Sequence, residues 1–289
     1  MRVRYPIAAA LALTALLTGC ARSGDPVERP GGKAAERLHE TGGAPAPVTA
    51  PSASSAPSAP PHAPAGDSRA PQPPYRRWGL AAPLPAAPEP AHRPRPAAPG
   101  APPPVVDRVP TRDPVVFLTY DDGAERDPRF VDLVRELRLP VSLFLTDSVV
   151  GPGYAHFARL RAVGADVQNH TLDHTYLRGL PYAGQRAAIC GQQDKLRARF
   201  GLRPRLFRPP HGAYDTTTLR AAADCGIAAV VRWSATVTGT RAPAGLAPGA
   251  IVSLPSHDPT DPPLRDRTAA VLREIQRRGL TVGRLEDYL

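Results

Sequence analysis

Cysteine is scarce in this 289-residue chain. There are three, at positions 20, 190 and 225, and no two of them form a Cys-x-x-Cys pair. Without that spacing a thiolate zinc site is not expected. Lysine is scarcer, so the formal charge of +10 rests almost wholly on arginine. That charge is scattered over the whole chain, with no lysine–arginine stripe. It suits anionic wall polymers or lipid head groups as neighbours. Long hydrophobic runs are also missing: the apolar stretch near the N-terminus is too short between its flanks to cross a bilayer.

What the N-terminus does have is an export signal. In "MRVRYPIAAALALTALLTGC", Arg2 and Arg4 precede an apolar run from Ile7, which ends in small residues. Residues 17–20, "LTGC", resemble the lipobox of bacterial lipoproteins. That resemblance implies a signal peptide over 1–19, cleavage before Cys20, and lipid on Cys20. An ordinary signal with a chance cysteine is the alternative. Either way the chain is expected to be exported, to the outer face of the cell membrane or beyond, and no nucleic-acid partner is expected. Cys190 and Cys225 are then left in an oxidising compartment, and a disulfide between them is expected. In the chain-entropy view such a loop closure is worth roughly 3–4 kcal/mol.

Residues 20–110 are dominated by proline and alanine, as in "APSAPPHAPAGDSRAPQPP". Such a segment buries too little apolar surface to fold and is expected to be a disordered linker. Extended at about 3.1 Å per residue, it could hold a domain on the order of 100 Å from a membrane. The aromatic island "YRRWGL" at 75–80 is read as incidental.

From about residue 111 to 289 the pattern changes. Short β-branched runs at 115–120, 141–146, 166–170, 206–209, 227–233, 249–254 and 280–285 read as strands. Helical stretches fall between them at 127–138, 154–163, 184–200, 215–225 and 264–278. In the third of these, Ile189, Leu196 and Phe200 share one face. Strand and helix in alternation mean parallel strands with right-handed crossovers. The expected fold class is α/β, a distorted and incomplete (β/α) barrel, with a doubly wound open sheet as the alternative.

In such folds chemistry gathers beyond the C-terminal ends of the strands. Five polar clusters fall there: Asp121 and Asp122, "NHTLDH", "RPPHGAYD", Trp233, and "SHD" at 256–258. His170 and His174 stand four residues apart, a metal-ligand spacing if both imidazoles face one point. Two imidazoles and a carboxylate suit Zn²⁺ with an open position. The same trio also occurs at Fe(II) oxygenase sites, which are usually built on other folds. Asp121 and Asp122 are costly side by side unless each has its own task. One can bind the ion while the other serves as base to a water molecule.

"TYDDG", "HTLDH" and "RPPHGAYD", in this order, resemble the first three motifs of the polysaccharide deacetylase family (NodB homology domain, carbohydrate esterase family 4) over roughly 112–289. The resemblance implies Asp121 as general base and Asp122, His170 and His174 as ligands of a divalent metal, Zn²⁺ or Co²⁺. Arg208 would orient Asp121. The peptide N–H at His211, after Pro210, would stabilise the oxyanion. Tyr120, Pro210, His211 and Trp233 would line the substrate site. Members remove acetyl groups from N-acetylated sugars, or O-acetyl groups from xylan. The expected partner is therefore an acetylated polysaccharide, and the chain is expected to act as a monomer.

The late motif departs from the family. There a hydrophobic strand after a glycine ends in Leu-x-His; counted from Gly249, the acid histidine would fall at Pro255, and the nearby histidine is His257, two residues on. A small bulge would return His257 to the acid position. Thr236 also stands where the family often has an aspartate. These changes leave open a carbohydrate O-acetyl esterase, which needs the acid less, or a glycan-binding lipoprotein without catalysis.

Overall fold

The computed structural model describes residues 72–91, 100–122, 127–255 and 260–289. The signal peptide, Cys20, much of the linker and His257 lie outside the described residues. Among the described residues nine strands make up the sheet: β1 (Val105–Val106), β2 (Val115–Asp121), β3 (Val141–Leu145), β4 (Asp166–Asn169), β5 (Leu206–Phe207), β6 (Ala229–Val231), β7 (Ala235–Thr236), β8 (Ile251–Leu254) and β9 (Thr281–Val282). Their order is β1-β6-β5-β4-β3-β2-β8-β7, every ladder is parallel, and β9 pairs with Val115 and Val116 at the start of β2. The path does not close on itself; an isolated antiparallel bridge links Arg108, just past β1, to Ala250, just before β8. The result is a curled, incomplete (β/α) barrel.

Helices α1 (Pro74–Arg77), α2 (Pro128–Leu137), α3 (Asp147–Val150), α4 (Tyr154–Ala162), α5 (Tyr182–Phe200), α6 (Thr216–Asp224), α7 (Leu264–Arg277) and α8 (Leu285–Tyr288) complete the fold. Their ends follow capping chemistry. Asp127 accepts from the N–H of Arg129 ahead of Pro128, and Asp215 forms a capping box with Thr218. α5 stops at Gly201, whose φ of 68° a side chain would resist.

β2 decides what faces where. Its first six residues are all buried, as expected of a strand covered on both faces. Val116, Leu118 and Tyr120 join the cluster beneath the helices, with Phe130, Leu133 and Leu272. Val115 and Phe117 point the other way, into the barrel, with Phe144, Val231, Ile251 and Leu285. Thr119 and Asp121 share this inward parity. A third cluster, around Ile189, Phe207, Ala221 and Val230, seats α5 and α6.

Several expectations are corrected. The strand read at 206–209 stops at Phe207, because Pro209 and Pro210 cannot continue a ladder. The strand read at 280–285 covers 281–282, then breaks at Gly283 into α8. β1 and β7 are too short for periodicity to reveal.

The linker expectation also reaches too far. Residues 72–91 form a strap on the domain. Trp78 and Leu80 are buried in the cluster beneath the helices. Trp78 Nε1 and Arg77 donate to the Glu136 carboxylate at 2.8 and 2.6 Å. The proline-rich part contributes carbonyls: Ala82, Pro85 and Pro88 accept from Gln276, Thr281 and Tyr288. Average composition conceals an aromatic anchor of this kind. Among the described residues, no helix is long and apolar enough to cross a membrane.

Candidate active site

The inward parity of β2 brings Asp121 to the C-terminal mouth of the barrel. Its carboxylate accepts from Arg208 Nη1 at 2.5 Å and from Ser253 Oγ at 3.3 Å. Arg208 is fully buried. Its remaining donors go to Thr119 Oγ1 and to the carbonyls of Val231 and Arg232. Its guanidinium lies 4.2 Å over the Phe144 ring and 5.5 Å from that of Trp233. A buried cation is tolerable only when satisfied in this way, and its position then fixes that of Asp121.

Asp122 would face the helices if β2 stayed extended. Instead its backbone turns left-handed, at φ 56°. Oδ1 accepts the Thr146 N–H at 2.7 Å, and Oδ2 lies 3.9 Å from His174 Nε2. His170, buried at the end of β4, has Nδ1 2.7 Å from the Arg208 carbonyl. A carbonyl only accepts, so Nδ1 carries the proton and Nε2 keeps its lone pair. The His170 and His174 rings meet edge to face at 5.0 Å.

One donor atom from each of Asp122, His170 and His174 lies within 4.8 Å of the others. Ligands about 2.1 Å from a tetrahedral zinc stand roughly 3.4 Å apart, so a small inward movement would complete a set. Burial pushes the Asp122 carboxyl up to about 7, against the hydrogen bonds from Thr146 and with help from neighbouring Asp121. Burial lowers His170 to about 4, and lowers His174 with a further contribution from His211. Neutral imidazoles with free lone pairs beside a carboxyl costly to ionise fit a divalent cation, which reverses that cost.

Backbone strain concentrates here. Of the five non-glycine residues described at positive φ, four are Asp122, Thr171, His174 and His211; the fifth, Arg138, ends α2. Each such conformation costs on the order of 1–3 kcal/mol and persists only where its surroundings impose it. The two left-handed residues Thr171 and His174 shape the loop after β4 so that both imidazoles turn to one point.

His211 extends the row, its ring 5.0 Å from that of His174. Pro210 is buried beside it. Trp233, just past β6, packs against Gly212, where a Cβ would come within 3.2 Å of the indole. Tyr120, expected to meet substrate, does not. It is fully buried, its hydroxyl 3.0 Å from Thr268 Oγ1 and its ring 5.2 Å from Phe130. The alternation that brings Asp121 inward sends Tyr120 outward. Cys190 and Cys225 are joined in a disulfide.

Sequence reading missed Thr119, Thr146 and Ser253. Parity marks Thr119, and Ser253 sits opposite it in register on β8. Thr146 acts largely through its peptide N–H, which leaves no trace in the sequence.

A family model of polysaccharide deacetylases matches residues 108–230. An uncharacterized protein of Streptomyces coelicolor is 65% identical over 193 residues, covering 65% of this chain and 78% of that protein. A chitooligosaccharide deacetylase of Sinorhizobium fredii is 29% identical over 199 residues, covering 59% of this chain and 87% of the enzyme. Among solved structures, a carbohydrate esterase family 4 pseudoenzyme of Bacillus anthracis shares the fold. It has a TM-score of 0.55 at 17% identity, covering 64% of this chain and 69% of that one. With its motifs gathered on parallel strand ends and these relatives beside it, the chain belongs to the polysaccharide deacetylase family (carbohydrate esterase family 4).

Proposed function

We propose that the protein removes N-acetyl groups from cell-envelope or extracellular polysaccharide, peptidoglycan or a chitin-like glycan, releasing acetate. One observation carries this reading: the Asp122–His170–His174 group stands beside a second carboxylate, Asp121, that a buried arginine holds in place. A divalent ion such as Zn²⁺ or Co²⁺, held by those three residues, would polarise the acetyl carbonyl and acidify water.

The chain's own residues divide the remaining work. Asp121 takes the proton of the attacking water, oriented for it by Arg208 and Ser253. Thr146 fixes Asp122, and the Arg208 carbonyl fixes the tautomer of His170. The His211 N–H would donate to the developing oxyanion, on a backbone already turned for it at φ 58°. His257 would protonate the departing amine. The setting we propose is an exported monomer, tethered through lipid on Cys20 and the proline-rich linker.

The displaced late motif favours a second reading, a carbohydrate O-acetyl esterase, because an alkoxide leaves with less help from an acid than an amine does. Acetate release from purified peptidoglycan, chitin oligomers and acetylated xylan, before and after chelation, separates the two. Release from the first two that is lost with chelator and restored by Zn²⁺ supports the amidase. Release from xylan alone supports the esterase. Binding of any of these glycans without release would leave a glycan-binding protein and overturn both.

A further inference from the structure

Among the described residues two large hydrophobic side chains are exposed, Val149 at 38% and Tyr176 at 51%. Lone exposed apolar groups are common on proteins. These two, however, share the end of the barrel that carries the metal-ligand group. Val149 lies in α3, which follows β3, and Tyr176 lies two residues after His174. A hydrogen bond from the Ser148 N–H to the Leu172 carbonyl, 3.0 Å, ties the two loops together.

Tyr176 is also held. The next residue, Leu177, is fully buried, and the Leu180 N–H donates back to the Leu177 carbonyl. The Gly179 N–H donates to Asp215 Oδ2 at 2.8 Å. The phenol ring is therefore presented to solvent on a loop whose backbone is tied down, so binding need not order the loop. Its neighbour is the His211 ring, 6.2 Å away and tilted by 38°, and beyond that lies His174 at 5.0 Å from His211. A row of aromatic rings thus runs from a metal ligand out to the rim.

We infer that Tyr176, with His211 between it and the metal-ligand group, is a stacking platform for the pyranose ring adjoining the acetylated sugar in the glycan chain. One face of a pyranose is a row of C–H groups, and these complement the negative face of an aromatic ring. Such a contact tolerates varied hydroxyl and linkage chemistry. It gives preference to chains of two or more sugars over a single sugar. The identity of the occupant rests on the deacetylase reading; the platform itself rests on the geometry of the rings.

The test compares the Zn²⁺-loaded wild type with Tyr176→Ala and Tyr176→Phe. Calorimetric binding of N-acetylchitotetraose and steady-state acetate release from the tetramer and from N-acetylglucosamine are both measured. For Tyr176→Ala the loss in kcat/KM on the tetramer should exceed that on the monosaccharide by about tenfold, mostly through KM. Tyr176→Phe should recover most of it. Equal losses on both substrates, or none on the tetramer, would overturn the platform while the deacetylase reading stands. If the wild type binds the tetramer without releasing acetate, the deacetylase reading fails, and weaker binding by Tyr176→Ala still supports the platform. A wild type that neither binds nor cleaves the tetramer removes both.

Discussion

Two carboxyl groups at opposite ends of the barrel are each pushed up to about 7, chiefly by burial: Asp122 at the C-terminal mouth and Glu286 at the N-terminal end. By that measure alone they are equivalent candidates for a functional site. Their neighbours separate them. Asp122 sits on a left-handed backbone facing two imidazoles. Glu286 accepts from the Gln168 amide and lies near the bidentate Arg284–Asp166 pair. A perturbed pKa points to chemistry only where the nearby groups offer lone pairs to a common ligand. The upper end holds strain and lone pairs. The lower end holds the strap, β9, α8 and an ion pair, with no imidazole among the described residues beside its carboxyl, as parallel barrels divide catalysis from stability.

The largest effects expected lie at the upper end. Asp122→Asn should reduce acetate release to background and abolish the rise in melting temperature on adding Zn²⁺. Without metal it should unfold no earlier than the wild type, because it removes a charge that is costly to bury. Asp121→Asn should also lose turnover while keeping the Zn²⁺-induced stabilisation. Loss of metal affinity in that variant would mean that the two carboxylates do not have separate tasks. His170→Ala should lose metal outright, read by competition with a chromogenic chelator.

Away from the mouth the expected changes are in stability alone. Breaking the Cys190–Cys225 bridge by Cys→Ser substitution at both positions should cost roughly 3–4 kcal/mol. Trp78→Ala should cost about 3 kcal/mol, since it removes a buried indole and leaves Glu136 without one of its donors. Denaturant unfolding measures both. Neither should alter metal affinity, and a shift of more than a few-fold would mean that the two ends are coupled.

How much of this was legible in the sequence depends on the range of the interaction. The strand ends, the His170–His174 spacing and the neighbouring aspartates are local patterns, and they place the mouth correctly. So does alternation along β2, which brings Asp121 inward and, against its expected place at the substrate, sends Tyr120 outward. The turn at Asp122 escapes that reasoning, because a left-handed residue breaks the alternation and only the tertiary setting imposes it. The Arg208 carbonyl on His170 and the Thr146 N–H on Asp122 are backbone contacts between residues 38 and 24 apart. No residue type announces them. The strap was hidden for a related reason: its proline-rich segment is held through carbonyls, which every residue has.

The smallest expected effect lies at Glu286 and depends on pH. Burial, with the charge of Asp166 beside it, pushes the Glu286 carboxyl up to about 7, against 4.5 for an unburied glutamate. Between those values the folded state holds a proton that the unfolded state has released. Stability contributed at this position is therefore complete below about pH 4.5, falls as the pH rises through the window, and is level above about 7. A glutamine side chain does not titrate, and in this position it can keep a hydrogen bond to Gln168. Glu286→Gln should therefore gain on the wild type by of order 1 kcal/mol at pH 8 and by little at pH 4, with acetate release unchanged throughout. Unfolding curves in urea at the two pH values measure the difference. A gain of equal size at both would show that burial of the charge is not what distinguishes Glu286. Lost activity would show that the lower end does more than hold the barrel together.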